Sequence, residues 1–199
     1  SPVGKYLAYS TSASGSDWVE WQIREISSGK DLSDHLKWSK FSGASWAKNS
    51  KGFYYGRFPT PKEGEEMMAQ NIHKKIYFHE IGKPQSTDLL VYERPNHPKQ
   101  GLYAWVTEGG KYLLIQVSQG TDTRNGLFYK DLSKATSKVI ELLPDFDASY
   151  DFITNLGSKF IIRTDLNAPK QKVISIDLNA PASAHWKTII PESRKTLRS

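Results

Sequence analysis

The sequence contains no cysteine, which excludes disulfide bonds, thiolate metal sites and a cysteine nucleophile. It also lacks any run of about 18 consecutive apolar residues, the length that a membrane span needs. Lys and Arg never occur in runs longer than two, although the formal net charge is +6, so the clustered footprint of a nucleic-acid-binding protein is missing. We therefore expect a soluble protein, cytoplasmic or periplasmic, that binds neither membrane nor nucleic acid.

Sustained helical periodicity is also missing, and the chain has a repeat of strand-like segments instead. A small turn followed by an aromatic or aliphatic strand recurs at Gly4–Tyr9, Gly52–Tyr55, Gly110–Ile115 and Gly157–Ile162. These units begin roughly 50 residues apart, which is close to the length of one blade of a β-propeller. The longest interval contains a polar insertion at 59–71, whose Pro and Gly residues mark a loop.

Further strand-like segments follow within each unit. In Val19–Arg24 apolar and polar residues alternate, which is typical of an antiparallel strand with one buried face. The fourfold repeat favours a propeller over a β-sandwich. We predict an all-β fold: one partial β-propeller domain over 1–199, with about four four-stranded antiparallel blades at approximately 1–40, 41–98, 99–150 and 151–193.

An ordered set of motifs resembles the N-terminal propeller of the prolyl oligopeptidase family. The set comprises Ser1–Ser10, Ser14–Trp18, Lys40–Trp46, Asn71–His79, Gly82–Asp88, Val91–Pro95 and Thr164–Pro169. Each motif alone is weak, but together they extend over essentially the whole chain in the family's order. The resemblance is therefore specific.

In that family a seven-bladed propeller caps an α/β-hydrolase domain, restricts access to its Ser-Asp-His active site and admits peptides that are cleaved after proline. The resemblance implies that this chain is a fragment of about four blades, without the catalytic domain and not itself an enzyme. Its partners would be that hydrolase domain and proline-containing peptides. An open ring exposes the faces of its end blades, so we also expect self-association in isolation.

The residues themselves offer little catalytic chemistry. Gly43-Ala44-Ser45-Trp46-Ala47 lacks the second glycine of a nucleophile elbow, and Trp46 and Trp105 occupy matching strands where packing between blades is the simpler interpretation. The five histidines occur singly, so we interpret them as surface or strand-edge residues and expect neither a metal site nor a cofactor.

The resemblance implies three candidate substrate-pocket residues. Phe41 matches a family phenylalanine that forms an apolar pocket, although ordinary blade packing explains it equally well. Ser118 stands where some relatives supply an arginine to a substrate carbonyl, and Thr121 where some have a pocket-lining cysteine. The sequence does not fix whether Arg124 replaces the missing arginine.

The segment Gly15-Ser16-Asp17-Trp18 is typical of a tight turn, because Ser and Asp side chains bond nearby backbone groups. It is either a structural turn or a contact to the catalytic domain. For the whole chain two alternatives to a peptidase gate remain: a non-enzymatic propeller scaffold that binds a protein or peptide, and, more remotely, a metal-dependent propeller hydrolase.

Overall fold

The fold is built from antiparallel β-sheets, in a computed structural model that describes residues 1–13, 16–66 and 68–197. Within these ranges the regular elements are fifteen β-strands and two single 3₁₀ turns, Gln85–Thr87 and Ser183–His185, with no α-helix. Across the same ranges no helix is long and apolar enough to cross a membrane. The all-β prediction is confirmed.

The strands form four sheets that follow one another along the chain. The first contains β1 (Tyr6–Ser12), β2 (Val19–Glu25) and β3 (Asp31–Ser39). The second contains β4 (Ser45–Trp46), β5 (Gly52–Arg57), β6 (Lys75–Glu80) and β7 (Leu89–Tyr92). The third contains β8 (Gln100–Val106), β9 (Tyr112–Gln119), β10 (Asn125–Asp131) and β11 (Ile140–Leu143). The fourth contains β12 (Tyr150–Leu156), β13 (Lys159–Thr164), β14 (Lys172–Asp177) and β15 (Lys187–Ile190).

Consecutive strands pair antiparallel within each sheet, as in propeller blades. The repeated glycine-led strand is the second strand of the last three sheets, namely β5, β9 and β13. In the first sheet it is β1, so that sheet has three strands among the described residues and no counterpart of β4, β8 or β12.

Each sheet packs face to face on the next through a cluster of apolar side chains, because strand side chains alternate between two faces. Phe53 and Tyr55 of β5 face the first sheet, while Tyr54 between them faces the third. A third cluster, which includes Tyr129 and Phe160, joins the third and fourth sheets. The core is therefore a row of three interfaces.

Two tryptophans identified in the repeat lie at these interfaces. Trp46 packs against the cluster between the first two sheets, with its ring centroid 5.3 Å from that of Phe53. Trp105 packs against the cluster between the third and fourth sheets. Their predicted role in packing between blades is confirmed.

Antiparallel order places alternate connections at opposite ends of the sheets. The connections β1–β2, β3–β4, β5–β6, β7–β8 and β9–β10 lie together at one end, which we call the site end. Bonds between loops show this: Trp18 Nε1 donates to the Glu66 carbonyl at 2.7 Å, and the His73 amide donates to the Pro98 carbonyl at 2.6 Å. The site end is thus one continuous surface drawn from three sheets.

Candidate functional site

A small cavity of about 150 Å³ opens at the site end. Its walls come from loops and strand ends of the first three sheets. The lining residues are Phe41, Phe58, Asn71, Lys74, Lys99, Gln100, Gly101, Tyr103, Ser118 and Gly120. Two of the three residues predicted for a substrate pocket, Phe41 and Ser118, are therefore on the same cavity wall although they are distant in sequence.

Phe41 follows β3, and its backbone places its side chain at the cavity mouth. Its φ is 50°, in the left-handed region that a bulky residue rarely adopts, and the residue is 53 % exposed. Trp38 and His73, in neighbouring segments, also have positive φ, at 62° and 59°. Strained backbone is common at functional sites, but four more non-glycine residues with positive φ lie elsewhere in the described chain, so these angles alone do not mark the site.

Lys74 immediately precedes β6 and forms the floor of the cavity. Its residue is only 4 % exposed, and its Nζ donates to the Phe41 carbonyl at 2.6 Å. The ammonium group also lies 4.3 Å from the ring centroid of Tyr103 and 5.7 Å from that of Phe58. Burial lowers the pKa of Lys74 to about 8, because the charged form loses hydration.

Two glycines create the space that these side chains occupy. A Cβ atom on Gly56 would lie 2.5 Å from Lys74 Cε, and one on Gly101 would lie 2.5 Å from Ser118 Oγ. Glycine at both positions therefore leaves room for the lysine stem on one side and for the serine hydroxyl on the other. Such close approach is a recognised use of glycine within strands.

The other predicted pocket residues lie outside the cavity wall. Thr121 is exposed in the turn after β9 and does not line the cavity. The Arg124 guanidinium forms a two-pronged bond to its near neighbour Asp122, at 2.6 Å for Nη2 to Oδ2, and holds the pKa of that carboxyl down to about 2. In the described structure Arg124 is thus directed at Asp122 and not at the cavity.

The predicted turn near Trp18 is tied to the rest of the site end. Gly15 lies outside the described residues. The Trp18 amide donates to Ser16 Oγ at 3.0 Å, while Asp17 between them is exposed. The Trp18 indole packs edge to face against the rings of Trp38 and Phe58. Lys40 Nζ lies over the indole, 3.9 Å from the Trp18 ring centroid. These contacts anchor the turn against the β5–β6 loop.

One histidine corrects the sequence interpretation. His79 of β6 is completely buried and is neither a surface nor a strand-edge residue. Its Nδ1 lies 2.7 Å from Asp88 Oδ1 and its Nε2 lies 2.8 Å from Asp34 Oδ1. Both ring nitrogens are thus engaged by carboxylates, and within the described ranges no His, Asp and Glu side chains converge as a metal site.

The comparisons with known proteins agree with this architecture. The family model described as "Prolyl oligopeptidase, N-terminal beta-propeller domain" matches residues 1–199. The chain belongs to this family. Prolyl oligopeptidase A of Amanita bisporigera is 37 % identical over 98 % of the chain, and the prolyl endopeptidase of Elizabethkingia miricola is 31 % identical over 98 %.

A solved structure of prolyl oligopeptidase B from Galerina marginata superposes with a TM-score of 0.87 at 33 % identity and covers 98 % of the chain. That relative is bound to a 35mer hydrolysis and macrocyclization substrate. The chain spans only 28 % of the length of the Amanita relative and 27 % of that of the Elizabethkingia relative. It therefore matches the N-terminal propeller domain of this family and covers only part of the length of these relatives.

Proposed function

We propose that this chain is a non-catalytic propeller segment of a prolyl-oligopeptidase-type serine endopeptidase. In the parent protein its site end faces an α/β-hydrolase domain and controls which proline-containing peptides reach that domain. The observation that carries the proposal is the placement of Phe41 and Ser118 on one cavity wall. Both residues match substrate-pocket positions of the family.

The cavity has the chemistry that a peptide requires. Three aromatic rings, from Phe41, Phe58 and Tyr103, provide apolar surface for a side chain or a proline ring. Amide and hydroxyl groups from Asn71, Gln100 and Ser118 provide hydrogen-bonding partners for the backbone of a peptide. A few polar groups placed among apolar ones are typical of ligand sites.

A catalytic role for this chain finds little support in its side-chain pairs. Serine hydrolysis needs a nucleophile hydrogen-bonded to a base that a third group orients. Ser45, the residue nearest to a nucleophile-elbow pattern, accepts a hydrogen bond from the Val106 amide at 2.8 Å. His79 is engaged on both ring nitrogens by aspartates and is completely buried.

Hydrolysis of a fluorogenic Gly-Pro peptide tests the proposal. The assay compares this chain alone with the same chain extended at both ends to the length of its relatives. We expect activity only in the extended protein. Hydrolysis by the chain alone would contradict the proposal, and hydrolysis by neither would favour a peptide-binding scaffold.

A pocket variant tests the role of the cavity within the extended protein. Phe41→Ala removes an exposed ring and is expected to raise the KM for the Gly-Pro peptide several-fold, which corresponds to about 1 kcal/mol of lost apolar contact. Thr121→Ala is the matched control, because Thr121 is exposed and does not line the cavity. An unchanged KM in Phe41→Ala would mean that this cavity does not bind the substrate.

A further inference from the structure

Lys74 is a buried cation with no carboxylate in contact with it among the described residues. Its ammonium group has three N–H donors, and the hydrogen bond recorded for it goes to the neutral carbonyl of Phe41. None of the ion pairs among the described residues includes Lys74. Burying a charge without a counter-ion costs free energy of folding, which a bound anion would offset.

The electrostatic surroundings of Lys74 favour an anion. No Asp or Glu lines the cavity, while a second lysine, Lys99, does. The nearest charge-stabilising groups are the ring faces of Tyr103 and Phe58. Aromatic faces attract cations only weakly compared with a carboxylate, so most of the interaction that the ammonium group can make is still open.

A second polar group with open hydrogen-bonding capacity lines the same cavity. Gln100 Oε1 is buried and has no hydrogen-bond partner among the described residues. Since the side-chain amide of Gln100 can present either its oxygen or its NH₂ group, it can complement the N–H or the carbonyl of a peptide backbone. An ammonium group and an open amide in one cavity therefore match a peptide that carries a carboxylate.

The site is also built sterically. Gly56 and Gly101 keep the positions next to Lys74 and Ser118 free, since a Cβ on either glycine would come within 2.5 Å of these side chains. Replacing either glycine would force the adjacent side chain to move. The cavity and its cation thus depend on two residues that have no side chain themselves.

We propose that Lys74 binds a carboxylate of a peptide in the site-end cavity, with Gln100 bonding the adjacent peptide backbone. This inference rests on the proposed function in one respect, namely that the ligand is a peptide. It adds a substrate specificity: the cavity binds a peptide with an acidic residue more tightly than the same peptide with the neutral amide residue. Neither the cavity's Phe41 nor its Ser118 has a charge that would create this preference.

Calorimetric titration of the full 199-residue chain tests this directly, without any need for hydrolysis. The probes are acetyl-Gly-Glu-Gly-Pro-amide and its Gln counterpart, which differ only in the charge of one side chain. A third probe has Gln and a free C-terminal carboxylate, and it distinguishes a terminal from a side-chain carboxylate as the source. We expect at least one carboxylate probe to bind about tenfold more tightly than the neutral probe.

Variants assign the preference to one lysine. Lys74→Met should remove it, and Gly56→Ala should weaken it with the charge retained, because the new methyl group displaces the lysine stem. Lys75→Met is the matched control: Lys75 is adjacent in sequence, but its Nζ pairs with Glu93 at 2.7 Å. Near-UV circular dichroism checks that each variant is folded.

Two results would overturn the inference: equal affinity for all three probes, including no binding of any, or a carboxylate preference that survives in Lys74→Met. Failure of the proposed function looks different. In that case the extended protein does not hydrolyse the Gly-Pro substrate, whereas the carboxylate preference of the chain is still measured by calorimetry.

Discussion

His79 of the second sheet and Asp34 of the first are joined by a 2.8 Å contact between Nε2 and Oδ1, and both side chains are completely inaccessible to solvent. On its other side His79 contacts Asp88, which also accepts a hydrogen bond from Tyr55. Arg57 lies 3.8 Å from Asp88 Oδ2. With His79 protonated, the two cations of this cluster balance its two aspartates, and the imidazolium links the first two sheets.

Replacing His79 is expected to destabilise the fold strongly. His79→Gln leaves two buried aspartates with one cation, and breaking a buried ion pair in this way costs roughly 3 to 5 kcal/mol. Urea denaturation measures the loss. His35→Gln is the control, because His35 pairs with Glu20 at the surface, where both side chains are more than 40 % exposed, and its loss should be small. Similar losses in both variants would contradict this interpretation.

The same cluster predicts a dependence of stability on pH. Burial lowers the pKa of His79, but the hydrogen bonds that its ring N–H groups donate to Asp88 and Asp34 outweigh this effect, so the pKa is raised above 6.5. The stabilisation is therefore complete below pH 6.5 and is lost as the pH rises through the folded-state pKa. The difference in unfolding free energy between the wild type and His79→Gln should shrink as the pH increases. A constant difference would mean that His79 is neutral in the fold.

The charge of Lys74 is expected to destabilise the fold, whereas the charge of His79 stabilises it. Because its buried ammonium group has no carboxylate partner, Lys74→Met is expected to stabilise the fold by roughly 1 to 3 kcal/mol at neutral pH. The pKa of Lys74 is lowered from 10.5 to about 8, so the wild type regains stability as the pH rises from 8 towards 10.5. The advantage of the variant should shrink over that interval.

Thermal denaturation across this pH range measures the effect. Lys75→Met provides the comparison, since Lys75 is paired with Glu93 and the pair is about one-third exposed. That control should be neutral or slightly destabilised. If Lys74→Met proved less stable than the wild type at neutral pH, Lys74 would be a structural residue and not one held in place for binding.

The glycine-led repeat predicted the blades because local turn chemistry and strand alternation recur in the sequence. It did not reveal that the four glycines differ in purpose. Gly157 has a φ of 61° with open space around it, whereas a Cβ on Gly52 would lie 2.1 Å from the His79 carbonyl oxygen. The first supplies a turn conformation, and the second permits close approach of the neighbouring strand.

This difference gives a matched pair of substitutions. Gly52→Ala is expected to cost about 3 kcal/mol or more, because its methyl group meets backbone that cannot rotate away. Gly157→Ala should cost only about 1 kcal/mol, the strain of a left-handed alanine. Chemical denaturation of both variants measures the costs. Equal costs would show that the β5–β6 pair can spread apart to accept the methyl group.

Only part of the candidate site could be predicted from the sequence. Phe41 and Ser118 were identified through the family's motifs, while Lys74 was one lysine among many. What distinguishes Lys74 is its burial beneath Phe41 and beside Tyr103, and these contacts form only when three sheets meet. His79 was missed for the same reason, since Asp34 lies in another sheet and only the fold brings it to the ring.

The outer face of the fourth sheet gives a prediction about association of the isolated chain. Ile153 and Ile190 are each about half exposed there and line a cleft of about 340 Å³ together with Leu197. The sheets before it bury equivalent apolar faces against a neighbour, so this face lacks the contact that each earlier interface has. The Asp151–Arg163 ion pair also lines this cleft, but the exposed isoleucines beside it give apolar surface that favours association.

We expect the isolated chain to form dimers through this face, because two copies of one apolar surface can pair symmetrically. Ile190→Lys should give a monomer in sedimentation equilibrium. Leu7→Lys is the control on the outer face of the first sheet, where Leu7 is also half exposed, beside the Arg24–Asp31 ion pair and the Tyr9–Gln22 hydrogen bond. That variant should remain dimeric. A wild-type chain that is monomeric at all concentrations would mean that the apolar face is stable in water without a partner. If only Leu7→Lys lost the dimer, the interface would lie on the first sheet instead.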